Sequence, residues 1–120
     1  MSTYTCNING AQFEAICNYW ENRHAWGHEV QLYEDGCRVA SKKIRYYNRT
    51  WEAYTYQYTI LGAIKNLLSS AEAEYLVKFK CEHGYKRITA ARREDLKKYL
   101  AYCDELQKYA QLYEHFRSLR

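Results

Sequence analysis

From Thr50 to the C-terminus the apolar residues recur at helical spacing, and no proline anywhere in the chain interrupts them. Proline inside a helix removes a backbone donor and clashes with the preceding turn, so its absence permits long uninterrupted helices. Trp51, Tyr54, Tyr58, Leu61, Ile64 and Leu68 form one stripe, and Ala53, Tyr56, Ile60, Ala63 and Leu67 a second. A helix apolar over so much of its circumference belongs in the middle of a fold, covered on two sides. Thr50 is placed as its N-cap, with Glu52 favouring the first turn through the helix dipole and Trp51 in the core. Ser69-Ser70-Ala71-Glu72 has the spacing of a capping box, which predicts a new helix from there to Gly84. The alternative over residues 76–89 is a hairpin about His83-Gly84. A final long helix is expected over residues 90–119. Leu96, Tyr99, Cys103, Leu106, Ala110 and Tyr113 follow a heptad seam along it. Tyr102, Tyr109, Leu112, Phe116 and Leu119 widen its apolar face beyond what one partner helix covers, so a homodimer or another docked protein is a use for that face.

In the N-terminal half, residues 3–8 alternate loosely and are rich in β-branched and aromatic side chains, which reads as a short strand. Asn9-Gly10-Ala11-Gln12 has capping-box spacing, and Ile8 and Phe13 stand where a hydrophobic staple would put them. A helix is therefore expected over 10–24, with Phe13, Ile16, Cys17 and Trp20 on its buried face. Residues 29–33 alternate again, and Asp35-Gly36 is a strong two-residue hairpin signal. The return strand changes apolar parity between Cys37, Val39 and Ile44, Tyr46, which requires a bulge, expected between Ala40 and Lys43. The composite is an α+β fold in a single domain, residues 1–120: a small antiparallel sheet, N-terminal strand plus hairpin, packed against a helical bundle with a long C-terminal helix.

Catalytic and metal-binding motifs are absent from this pattern. The five glycines make no phosphate-cradling loop, and no serine stands in a nucleophile elbow. His24 and His28, four apart, are separated by Gly27, and Cys81-Glu82-His83 lacks a matching pair elsewhere, so no metal is expected and the histidines read as surface residues. The acids are scattered, as at Glu14, Glu21, Glu34, Asp35, Glu94 and Asp95, with no converging set for a divalent-metal nuclease. His83, Tyr85, Lys86 and Arg87 leave a metal-free ribonuclease as an alternative, since histidine serves general acid–base chemistry. The five cysteines, widely spaced, read as free thiols or small core residues of a cytosolic protein. No apolar run is long enough for a membrane span, and residues 1–5 do not form a signal peptide.

The informative signal is charge. Residues 37–50 carry Arg38, Lys42, Lys43, Arg45 and Arg49 with no acid, and residues 78–98 carry eight bases against three acids, so each stretch is +5 in a chain of net +4. A polyanion would feel that asymmetry. Lys42, Lys43, Arg45 and Arg49 interleave with Tyr46 and Tyr47, while Lys86, Arg87, Arg92 and Arg93 follow Tyr85. Cations beside aromatic rings suit nucleic acid, charge tracking the backbone and rings stacking on bases. An acidic protein patch would be gripped as well, since arginine binds carboxylates bidentately. Lysine on an edge strand also guards it against aggregation, with no partner at all.

The stretch Ile44-Arg-Tyr-Tyr-Asn-Arg-Thr-Trp-Glu-Ala-Tyr-Thr-Tyr-Gln57, followed by an apolar helix, resembles small proteins from phages and mobile elements of Gram-positive bacteria. His83-Gly-Tyr-Lys-Arg-Ile-Thr-Ala-Ala-Arg-Arg-Glu94 has a similar look, the two covering about a fifth of the chain. The resemblance brings no assigned chemistry and no catalytic residue. It implies a cytoplasmic, phage-borne accessory protein in a bacterial host. The expected function is a non-enzymatic inhibitor of the anti-CRISPR kind, without cofactor, whose partner is a host nuclease or ribonucleoprotein complex. A DNA- or RNA-binding regulator is the alternative. This is analogy of setting and not of fold.

Overall fold

The structure, a computed structural model, describes residues 1–47 and 56–118, with Tyr47 by its backbone alone. The expectations for Arg49, Thr50, Trp51, Glu52, Ala53, Tyr54 and Leu119, and for the Tyr47 side chain, lie outside the described residues. The fold is α+β: strands β1 (Ser2–Ile8), β2 (Ala11–Glu21), β3 (Ala25–Glu34) and β4 (Cys37–Tyr47) form one antiparallel sheet in the order β1-β2-β3-β4. Helices α1 (Tyr56–His83), α2 (Arg93–Ala101) and α3 (Asp104–Ser118) follow, with a short 3₁₀ turn at Ala90–Arg92.

The helix expected over 10–24 is strand β2. Asn9 and Gly10 both take positive φ, 51° and 87°, and Ile8 pairs with Ala11 across them, which is a two-residue type I′ turn. The Asn7 side chain accepts a hydrogen bond from Gly10 N at 3.1 Å. Apolar residues at 13, 16, 17 and 20 fit a helix, but Ala11, Phe13, Ala15 and Cys17 also fit a strand, and these four are buried. Turn chemistry decides between the two periods. The second hairpin forms as expected, with Asp35 and Gly36 at φ 50° and 84°. The two turns are tied together: Asp35 N donates to Gln12 O at 2.8 Å and Gln12 N to the Asp35 carboxylate at 2.9 Å.

The bulge is in β4, but earlier than expected. Leu32 pairs with Ala40 and Tyr33 with Arg38, so Val39 is the extra residue. Beyond it Lys42, Ile44 and Tyr46 turn toward the helices, and Ser41, Lys43 and Arg45 are exposed.

Helix α1 runs 28 residues straight through Ser69-Ser70, which start no new helix. The reason is phase: Ile60, Ile64, Leu67, Ala71 and Phe79 stay on one buried face across the serines, whose hydroxyls face solvent. The hairpin alternative over 76–89 is thereby overturned. Gly84, at φ 68°, ends α1: Tyr85 N donates to Lys80 O at 2.8 Å and Gly84 N to Cys81 O at 3.4 Å, a Schellman stop.

The expected last helix is broken at Tyr102 and Cys103. Their amides bond back to Tyr99 O and Leu100 O at 3.2 Å each, tightening the final turn of α2, and the Gln107 side chain caps Ala101 O. The heptad seam does not continue across this break. Instead Leu106, Tyr109, Leu112 and Phe116 are the buried face of α3, Leu112 at 0% exposure, while Tyr102 is 84% exposed. Of the wide apolar face that suggested a dimer, Tyr109, Leu112 and Phe116 are covered by α1 and the sheet, joining Phe13, Val30, Leu32, Ile60 and Ile64 in one core.

A polar network locks α3 in place. Lys108 reaches Glu34 at 2.6 Å, and the Tyr109 hydroxyl lies 3.0 Å from Glu34 and 2.8 Å from Glu105, donating to one at a time. Tyr75 of α1 donates to Glu105 at 2.9 Å. Hydrogen bonds from Tyr109 and Tyr75 hold the Glu105 carboxyl below the usual carboxylate range, and the Glu105 bond pushes Tyr75 up to about 12.

His28 is buried, which corrects the expectation of a surface histidine. Its ring lies 4.6 Å from Tyr56 and about 6 Å from Tyr19, Trp26 and Tyr46, and Nδ1 has no hydrogen-bond partner among the described residues. Burial lowers its pKa, disfavouring the charged ring. The unfolded chain then protonates before the folded one, so stability is intact above about pH 6.5 and is lost as pH falls below it. Glu105 adds a second loss below about pH 4.5, where its bonded carboxylate must take a proton. Thermal melts between about pH 2.5 and 8 are expected to show two separate declines in Tm. The substitution His28→Phe is expected to abolish the upper one and leave the lower; an unchanged upper decline would refute the assignment.

Candidate nucleic-acid interface

Strand β4 is an edge of the sheet, and its free side runs beside α1. The Lys42 stem lies across Gly62: a Cβ there would sit 3.3 Å from Lys42 Cγ. Asn66 Nδ2 donates to Ser41 O at 3.3 Å and pins the strand to the helix. Between them opens a groove of about 560 Å³, lined by Lys42, Lys43, Ile44 and Arg45 from β4, Tyr58, Leu61, Gly62, Lys65 and Asn66 from α1, and Tyr113 from α3. Four of these are cations and none is an acid.

The ion pairs among the described residues are Lys78–Glu74, Lys97–Glu94, Arg117–Glu114 and Lys108–Glu34. None uses Lys42, Lys43 or Lys65. Lys65 Nζ stands 5.8 Å from the centre of the Tyr113 ring, and Lys43 Nζ 4.8 Å from that of Trp20, with the Arg45 guanidinium 6.0 Å away. Like charges held this close beside a low-dielectric wall raise the local potential and draw anions.

The other expected contacts fare differently. Tyr46 is 5% exposed and packs 4.6 Å from Trp26, so it is a core residue and not a flat contact for a ligand. Tyr85 is engaged on the protein itself: the Arg92 guanidinium lies 3.6 Å over its ring, and Phe79 and His83 sit 5.8 and 5.5 Å away. Arg92 is therefore also occupied. Lys86, Arg87 and Arg93 are exposed, Arg93 on the rim of a hollow of about 410 Å³ between α1 and α2 floored by Leu76, Ile88, Leu96 and Leu100.

The two basic stretches do not converge. Lys42 lies against Gly62, and Tyr85 packs on Phe79, seventeen residues further along α1. At 1.5 Å per residue that is about 25 Å, in a molecule 52 Å long.

His83 donates from Nδ1 to Phe79 O at 3.2 Å, its ring 4.5 Å from that of Phe79. Among the described residues no three His, Cys, Asp or Glu side chains gather as a metal site would need. Sequence reasoning missed Lys65, Tyr58, Tyr113 and Trp20. Trp20 was the findable one: reading Asn9-Gly10 as a hairpin puts it on the opposite face from Phe13 and Cys17. No protein-family model, curated protein or solved structure matches the chain. No helix among the described residues is long and apolar enough to cross a membrane.

Proposed function

We propose that this protein is a non-enzymatic binding module whose groove between β4 and α1 takes the phosphate backbone of nucleic acid held by a host nucleic-acid-handling complex. It would act there as a phage-borne inhibitor in the anti-CRISPR manner, with a CRISPR nuclease as the kind of target. The observation that carries the reading is the set Lys42, Lys43 and Lys65 on one groove, none of them in an ion pair among the described residues although Glu29 stands across the strand from Lys43. The phage setting is supported by the resemblance of residues 44–57 and 83–94 alone. Labelled nucleic acid followed by fluorescence anisotropy tests the groove. Affinity is expected to fall linearly in log–log with salt, in proportion to the phosphates neutralised; absence of binding at low salt would sink the reading.

The distal cations favour a second reading, in which the inhibitor grips a protein directly. Lys86 and Arg87 follow the end of α1, whose Phe79 is about 25 Å along the helix from Gly62, a separation suited to holding a large partner at two points. A pull-down from phage-host lysate with and without nuclease treatment separates the two. A nuclease recovered in fixed stoichiometry after nucleic acid is removed supports protein contact. Loss of all partners on that treatment supports a nucleic-acid-binding regulator.

A further inference from the structure

We propose that Trp20 is a base-stacking platform and that the nucleic acid bound is single-stranded, an inference that rests on the groove reading above. The helices cover one face of the sheet, where Phe13, Ala15 and Cys17 of β2 are buried. Trp20 alternates to the other face. Directly across from it in the register is Gly27 of β3. A Cβ on Gly27 would come within 2.8 Å of the indole Cζ2 and 2.9 Å of Cε2, so the ring is laid across β3 in the space a side chain would fill. Lys43 Nζ is 4.8 Å from the ring centre. The same lysine lines the groove, so cation and ring form one surface that wraps the edge of β4.

That arrangement matches the two needs of a single strand. Trp20 is half-buried, its Nε1 edge covered. A lysine over such a ring is a weak contact on a flexible stem, and a base stacked on the ring's open face is the stronger one. A base can therefore replace the ammonium on the ring while the ammonium moves to the adjoining phosphate. A duplex keeps its base faces stacked on one another and offers only edges and backbone, so it gains nothing from Trp20.

The test compares a single-stranded oligonucleotide of about ten residues, within the site sizes of single folds, with its duplex and with inorganic polyphosphate. Each is titrated against the wild type, Trp20→Leu and Trp20→Phe. The single strand is expected to bind about tenfold more tightly than the duplex. Trp20→Leu, which keeps apolar bulk over Gly27, is expected to cost the single strand about tenfold and leave polyphosphate unchanged, with Trp20→Phe restoring most of the loss. Equal binding of all three ligands, with Trp20→Leu silent, would overturn the platform and leave the groove reading standing. A loss for Trp20→Leu that extends equally to polyphosphate would also overturn it, since it reports displaced lysines. Binding of none of them defeats the groove reading itself.

Discussion

Gly27→Ala is expected to be the most damaging single-methyl change in the sheet. Its Cβ would stand 1.9 Å from Ile44 O and 2.8 Å from the Trp20 ring. The ring can swing away, but the carbonyl belongs to the β4 backbone and cannot move without loosening the β3–β4 ladder around the Gly27–Arg45 pair. Overpacking that forces backbone shifts costs up to about 3 kcal/mol, which for a domain of this size lowers Tm on the order of 10 °C. The same change turns Trp20 off its seat and shifts Lys43 and Arg45. Melting by circular dichroism checks the stability effect; a Tm within about 2 °C of wild type would mean that the strands accept the methyl and the close approach has no consequence.

Charge reversal at two groove positions, Lys42→Glu with Lys65→Glu, is expected to lower nucleic-acid affinity by about a hundredfold near 0.1 M salt. The slope of log affinity against log salt should shrink by at least about 1.4, since each lost phosphate contact on a single strand is worth about 0.7. Lys65 is exposed and Lys42 half-buried along its stem, so the double variant should fold with a nearly unchanged melt. The matched control is Lys86→Glu with Arg87→Glu at the far end of α1, expected to leave groove binding within about twofold because a charge about 25 Å away is screened at that salt. Equal losses in both double variants would show that net charge, and not the groove, governs binding.

The α+β class, the Asp35-Gly36 hairpin and the need for a bulge in the return strand were readable because each rests on local chemistry: a turn that demands glycine, and a parity that cannot change without an extra residue. The second strand was not, because Phe13, Ile16, Cys17 and Trp20 satisfy a helical period, and the Asn9-Gly10 turn signal competes with capping-box spacing over the same residues. The serines at 69 and 70 misled in the same way, a local cap signal overridden by a buried face that keeps its phase. Of the candidate site, Lys42, Lys43 and Arg45 were legible from the acid-free run on β4. Lys65 and Tyr113 were not, since only tertiary packing of α1 and α3 carries them to that strand. Tyr46 and Tyr85 show the converse: an aromatic beside cations in sequence can be spent on the core, as Tyr46 is, or on an arginine of its own chain, as Tyr85 is on Arg92.

The strand order β1-β2-β3-β4 has a kinetic meaning. Every strand zips to its immediate predecessor across a short connection, so the sheet assembles without waiting for a distant segment, and chains dominated by such local closure fold fast. Helix α1 then folds back onto β3 and β4, and α3 returns last to meet Glu34. During synthesis the sheet residues and α1 leave the ribosome well before that helix exists, so the nascent meander, roofed by α1 alone, keeps part of its apolar face uncovered until α3 arrives.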